Sequence, residues 1–361
     1  MGNKIRYMYI DILKTVAIFA IIISHVCIIG RQAAILNIPF AHFQHIGKVG
    51  VPLFLMISGA LLLNRNYPSI KEFIYKKMLR IIPPYIFWML IALMVIGFLN
   101  HVPFNYDGLI FYINNFFNLG VNWYFWMVIG VFLAIPIINE FIKNKKIEGA
   151  KYFSLIFIIS SIIYQICILF NWTSFLDLSF FITPAGYVIL GYYLANREYK
   201  LSSNALIIIG LIVFLSIFII RLYQPIPYKI LYLFMVNNTI HLDSFLDISL
   251  IGILESTSIF ILIKAIDDSK KGFGKKIKGF FEINVVKKII LSISKSSYGM
   301  YLTHIYLVMI VFHYFDLLPL SGTKMALLIA ILSIITIILA HISVLIVSKI
   351  PKLKILSGYS W

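Results

Sequence analysis

Ten stretches of this 361-residue chain are apolar almost without interruption. They lie at residues 8–29, 49–64, 81–99, 123–142, 152–170, 180–195, 204–221, 246–266, 290–313 and 325–348. Most approach the ~20 apolar residues that a helix needs to cross a bilayer. The second and sixth are short. The pattern predicts an all-α integral membrane protein, a polytopic bundle of about ten transmembrane helices in a single domain over residues 1–361. The first stretch does not read as a cleaved signal peptide, because Lys14 interrupts its apolar part and no small-x-small cleavage site follows. No internal repeat, low-complexity tract or soluble catalytic domain is evident, so the chemistry is expected within or beside the bilayer.

Composition agrees. The chain is 61% hydrophobic and 12% charged, with a mean hydropathy of +0.95. Soluble domains are nearer half apolar and a quarter charged. The formal charge of +17 raises the question of nucleic acid. Its distribution answers with membrane lipid instead: Lys and Arg gather in short loops beside the apolar runs, where a nucleic-acid binder would collect them on one soluble domain. With the N-terminus cytoplasmic, Arg31, Lys48, Arg221, Lys229 and Lys324 fall outside, Lys14 lies in a span, and the rest of the 31 Lys and Arg are inside. Both termini are then cytoplasmic.

The loops carry less information. Segments 100–122 and 222–245 are rich in Asn, Tyr, Phe and Pro. They suit either a lining for a polar, sugar-like ligand or an aromatic interfacial belt. Residues 267–288 interleave Lys with Phe and Ile and read as an amphipathic segment on anionic lipid. Cys27 and Cys167 both lie in apolar runs, so a disulfide framework is not expected.

Charges near a bilayer centre cost ~2.5–3.5 kcal/mol even on permissive scales, and they mark function by default. The set here is Asp11, Lys14, His25, Asp247, Glu255, His304 and His341. Lys14 and His25 are eleven residues apart, which leaves about 20° between them on a helix and about 16 Å along it. Asp11 stands three before Lys14, within pairing distance on the same stripe. Imidazole can take a proton near neutral pH. The bland account is a snorkelling lysine and a histidine that only packs and hydrogen-bonds.

A second cluster is "KKMLRIIPPYIFW" at 76–88. Lys77 and Arg80 are three apart at the start of the third helix, and Pro83 and Pro84 are expected to kink its first turns. Two cations there suit the phosphates of a soluble donor, or plain positive-inside anchoring. Other chemistries find no motif. Ser58-Gly59 lacks the surroundings of a nucleophile elbow, and no Walker A or dinucleotide fingerprint is present. No metal is expected, since His42 and His45 alone come near a ligand spacing.

The motifs also occur together in a known order. Tyr9, Asp11, Leu13, Lys14 and His25 follow a pattern like Y-x-D-x-L-R, ten residues, then His. After them come "GVPLFLMISG" (50–59), "KMLRIIPPY" (77–85), "NWYFWMVIGVFLAIPII" (122–138), "ILGYYLANR" (189–197) and "SKSSYGMYLTHI" (294–305). On these residues the chain resembles the acyltransferase-3 family of integral membrane acyltransferases, which modify cell-surface glycans. In shape it is similar to short stand-alone members of the enterobacterial-common-antigen O-acetyltransferase type. Lys14 and Lys77 stand where the family usually has arginine, and lysine lacks the planar fork.

The resemblance implies transfer of an acyl group, most often acetyl from acetyl-CoA, to a hydroxyl of a surface or lipid-linked polysaccharide at the bacterial cytoplasmic membrane. It implies His25 as the catalytic histidine with Asp11 and Lys14 as companions, and Lys77 and Arg80 on the CoA phosphates. Ser58, Glu255 and His304 are expected to line the cavity. The competing class is a polysaccharide or lipid-linked glycan exporter that uses the buried acids and histidines as a proton relay.

Overall fold

The computed structural model describes residues 6–33, 47–103, 105–118, 122–170, 172, 178, 180–222, 248–314 and 323–360. Among them every regular element is helical. The helices are α1 (Met8–Ala33), α2 (Gly50–Leu62), α3 (Ile70–Leu99), α4 (Tyr106–Asn118), α5 (Asn122–Leu169), α6 (Pro184–Asn196), α7 (Ser203–Leu222), α8 (Leu250–Asp268), α9 (Gly272–Glu282), α10 (Asn284–Tyr314) and α11 (Thr323–Lys349). Short 3₁₀ turns cover Gly47–Val49 and Lys354–Ser357. Each of the ten apolar runs overlaps a helix. Among the described residues five helical stretches are long and apolar enough to cross a membrane: Met8–Ile29, Ile70–Leu99, Asn122–Cys167, Ser203–Ile220 and Ala326–Lys349.

Several boundaries differ from the hydropathy pattern for local reasons. α3 begins eleven residues before its apolar run. Ser69 caps it, accepting a hydrogen bond from the Glu72 backbone N–H at 3.3 Å, and Ser and Glu at this spacing form a helix start signal. Pro83 and Pro84 therefore sit deep inside the helix and not in its first turns, and the helix runs on through them. α5 has 48 residues, about 70 Å if unbroken and twice what a bilayer needs. It breaks at Lys146, whose φ of 50° is left-handed. This divides it where the two predicted runs divide. α4 forms in the aromatic segment expected to be loop. Residues 223–245, Asp247, His42 and His45 lie outside the described residues.

The chain forms two compact units. The first comprises residues 1–17, 48–66 and 134–291. In it α2 crosses α6 where Gly59 and Gly191 let backbones touch. A Cβ on Gly59 would lie 1.7 Å from the Val188 carbonyl oxygen, and one on Gly191 would lie 2.1 Å from that of Met56. Small residues at membrane helix crossings serve this close approach. Asn139, buried on α5, exchanges hydrogen bonds with the backbone N–H and C=O of Arg65 just after α2. α9 lays Ile277 and Phe281 on a cluster of Ile207, Ala265 and Ile266, and leaves Lys275, Lys276 and Phe280 exposed. That is the amphipathic segment expected at 267–288. Burial lifts the Asp267 carboxyl above its usual range at the end of α8, with Lys278 pulling against it.

The glycine crossing makes a stability prediction. Gly191→Val should cost about 3 kcal/mol through overpacking and lower the melting temperature in detergent. Gly279→Ala, on the exposed face of α9 with nothing within 4 Å of a new Cβ, should be neutral or stabilise by up to about 1 kcal/mol. Equal melting temperatures for the two variants would disprove the packing role.

The second unit comprises residues 18–47, 67–133 and 292–361. It holds most of α1, then α3, α4, the start of α5, α10 from Ser292, α11 and the C-terminal turn. Motifs that are separate along the chain come into contact here. Tyr85 of the Pro-Pro-Tyr segment stacks on Phe125, with centroids 3.6 Å apart and planes at 5°. Its hydroxyl donates to Asn122 Oδ1 at 2.7 Å. Tyr298 donates to the Ile81 carbonyl at 2.8 Å, which ties α10 to α3.

Candidate active site

α1 is one continuous helix, so the stripe of Asp11, Lys14 and His25 has the backbone that its spacing requires. The structure then distributes these residues. Asp11 and Lys14 belong to the first unit and His25 to the second. Asp11 is buried, and its carboxylate is gripped by both arms of Arg6, Nε to Oδ2 at 2.7 Å and Nη2 to Oδ1 at 2.8 Å. The i, i+3 spacing points to Lys14 as partner. The bidentate fork comes from Arg6, outside the helix, and a lysine could not supply it. Thr15 Oγ1 adds a bond to the Asp11 carbonyl.

His25 is partly buried, and its Nδ1 lies 2.9 Å from the Ile21 carbonyl oxygen. A carbonyl only accepts, so Nδ1 carries the proton and Nε2 of the neutral ring carries the lone pair. That is the form a general base needs. Across from it stands His304 of α10, fully buried, with ring centroids 4.8 Å apart and planes at 70°. His304 Nδ1 donates to the Tyr301 carbonyl, so its Nε2 is also a lone pair. It has no hydrogen-bond partner among the described residues. Tyr301 lies 5.4 Å from His304, and Tyr124 lies 4.4 Å from Tyr301, ring to ring. Two imidazoles thus lie side by side, with the Tyr301 and Tyr124 rings beyond His304. Sequence patterning singles out both histidines but not their meeting, and Tyr124 and Tyr301 carry no signal beyond ordinary aromatic content.

The other expected cavity residues belong to the first unit. Ser58 is in the first unit on α2, and its hydroxyl donates to the Phe54 carbonyl in its own helix. Glu255 is buried on α8, also in the first unit. His341 of α11 has a structural setting, with Ser296 Oγ 2.8 Å from Nδ1 and Ser292 Oγ 3.2 Å from Nε2.

The basic cluster of α3 also divides. Lys77 lies over two rings, 5.5 Å from the Phe73 centroid and 5.3 Å from that of Phe132. Arg80 instead lines a cavity of about 570 Å³ together with Lys76, Lys352, Lys354 and Tyr359. Lys76 is the i−4 neighbour of Arg80, so the two share a face. Lys352 and Lys354 come from the C-terminal turn, where the sequence suggests nothing beyond positive-inside charge. Pro83 and Pro84 have no N–H, so the carbonyls of Leu79 and Arg80 lose the donor that an unbroken helix would give them. Four basic side chains and an aromatic ring line this cavity of ligand size, and Lys76 among them also pairs with Glu72 one turn earlier on α3.

The described residues, helical throughout their regular structure and with apolar helices of membrane-crossing length, fit a multi-pass membrane protein that carries a buried histidine pair and a cationic cavity. The Acyltransferase domain (acyltransferase-3) family model matches residues 7–345, and the chain belongs to that family. Membership supports membrane O-acyltransferase activity on glycans. Among curated proteins and among solved structures, none matches the chain significantly.

Proposed function

We propose that this protein transfers an acyl group, acetyl in the first instance, from acyl-CoA to a hydroxyl of a cell-surface or lipid-linked polysaccharide, in the manner of the enterobacterial-common-antigen O-acetyltransferases. It would do so in a bacterial cytoplasmic membrane, with about ten spans and both termini on the cytoplasmic side. The observation that carries this reading is the pairing of His25 with His304 in a chain of this family.

In the mechanism, Arg80, with Lys77 nearby on α3, holds the donor phosphates on the cytoplasmic side. His25 Nε2 accepts the proton of the acceptor hydroxyl. The oxygen bonds to the thioester carbonyl carbon, the C–S bond breaks, and His25 returns the proton to the leaving thiolate. The products are an O-acyl glycan and free CoA. The His304 ring, 4.8 Å from that of His25 and with a lone pair on Nε2, is the polar neighbour that the charged ring would meet. Asp11, fixed by Arg6, anchors the start of α1, and Lys14 lies one turn further along.

The test incubates purified protein with labelled acetyl-CoA and a polysaccharide acceptor. Free CoA and labelled glycan should appear together and should not need a proton gradient. Glycan movement that depends on a gradient without thioester consumption would establish the exporter instead. A further prediction concerns the donor. Arg80→Ala should raise KM for acetyl-CoA about tenfold, the loss of one charge-assisted contact of ~1.5 kcal/mol, with a smaller change in kcat. A KM rise in Lys77→Ala alone would move the phosphate contact to Lys77.

A further inference from the structure

The turn that follows α11 is held at more points than a simple connection requires. It runs through Lys354–Ser357. Trp88 Nε1, buried on α3, donates to the Ser357 carbonyl at 3.1 Å. Ser357 Oγ donates to the Lys354 carbonyl at 2.7 Å and accepts from the Tyr359 N–H at 3.1 Å. Gly358 takes a left-handed φ of 72° and lies against Gly299 of α10. A Cβ on Gly299 would come 2.4 Å from the Ser357 carbonyl oxygen. Ser360 N–H donates to the Lys295 carbonyl at 2.7 Å, and Lys295 Nζ lies 5.9 Å from the Tyr359 ring centroid. The anchors come from α3 and α10, the helices that carry Arg80 and His304.

This pinned turn forms one wall of the 570 Å³ cavity, with Lys76 and Arg80 on the other. The described lining residues include four cations, of which Lys76 also pairs with Glu72 Oε1 on α3. Clustered basic side chains raise the local concentration of anions. Basic side chains from two segments, α3 and the C-terminal turn, suit a ligand with phosphate at more than one place. Tyr359 adds a ring on which a purine can stack.

Building on the acyl-CoA reading above, we propose that the C-terminal turn is half of the donor site: Lys352 and Lys354, facing Lys76 and Arg80, bind the phosphates of the CoA nucleotide and make the enzyme select donors that carry the ribose 3′-phosphate. A phosphate of an inner-leaflet lipid has the same chemistry in part but lacks the second, ribose-linked phosphate and the purine.

The experiment uses the full chain in nanodiscs, once in zwitterionic lipid and once with anionic lipid. Acetyl-CoA and 3′-dephospho-acetyl-CoA are compared as donors for wild type and for the double variant Lys352→Ala, Lys354→Ala. In wild type the dephospho donor should show KM at least tenfold above acetyl-CoA. The double variant should raise KM for acetyl-CoA at least tenfold with kcat nearly kept, and should change KM for the dephospho donor much less. That loss of additivity is the mark of one shared contact. Lys352→Arg with Lys354→Arg should restore most of the affinity. Unchanged KM, or an equal rise for both donors, overturns the proposal. An effect confined to anionic nanodiscs and blind to the 3′-phosphate assigns the cavity to lipid and also overturns it.

Calorimetry with adenosine 3′,5′-bisphosphate separates this proposal from the acyl-transfer reading. Binding to wild type that is lost in the double variant supports the nucleotide site even if no acyl transfer is found. Acyl transfer with undiminished nucleotide binding in the variant keeps the function and sinks the site. Both lysines are exposed, so the variants should fold, and melting temperatures check this.

Discussion

His25→Ala should abolish glycan acylation while the protein still inserts, purifies and melts as wild type does. A positioned general base is worth about 10²–10⁴ in rate, and His25 is the partly buried one of the two paired imidazoles. The bond from Nδ1 to the Ile21 carbonyl fixes the tautomer and aims the Nε2 lone pair away from its own helix turn. Alanine removes that lone pair and little else, since the Ile21 carbonyl stays within an intact helix. Donor KM should hold near the wild-type value, because the cavity cations are on α3 and the C-terminal turn. His25→Gln keeps a polar side chain without a base and should be as inactive as alanine. Wild-type kcat in either variant would remove His25 from the chemistry.

The second large effect is expected at His304, and it runs in opposite directions for activity and stability. His304 is fully buried, and its Nε2 has no hydrogen-bond partner among the described residues. Burying such a nitrogen costs about 1–3 kcal/mol. Leucine at this site fills a similar volume without that cost, and the Tyr301 carbonyl keeps its place in the helix. His304→Leu should therefore raise the melting temperature in detergent, equivalent to about 1 kcal/mol or more, while kcat falls at least tenfold because His25 loses the polar ring beside it. A lower melting temperature together with a matching loss of activity would make His304 a packing residue. Unaltered kcat would make it a bystander. Only a group retained for function explains a gain in stability with a loss of rate.

Much of this is legible in the order of residues alone. The helices follow from runs of apolar residues and from local start signals. Ser69 with Glu72 opens α3, and Ser249 caps α8 by accepting from the Gly252 N–H at 3.0 Å. The early start of α3 shows where hydropathy alone falls short, because a capped polar turn is helical without being apolar. The motifs around His25, Arg80 and His304 are legible too, and each is in a described helix.

Other features have no local signature. Arg6 is a single basic residue ahead of α1, and only the folded chain brings its fork to Asp11. Lys352 and Lys354 look like ordinary positive-inside charge until Trp88, Gly299 and Lys295 hold their turn beside Arg80. Lys77 and Arg80 share a helix face by spacing, yet packing turns one to aromatic rings and the other to a cavity. Hydrophobicity, capping and spacing over a few turns are enough to say which segments are helical, which suit lipid, and which ionisable residues must be there for a reason. They cannot say which of those residues meet. His25 and His304, or Arg80 and Lys354, are far apart along the chain, and their contact depends on how helices pack, down to glycines that let two backbones touch.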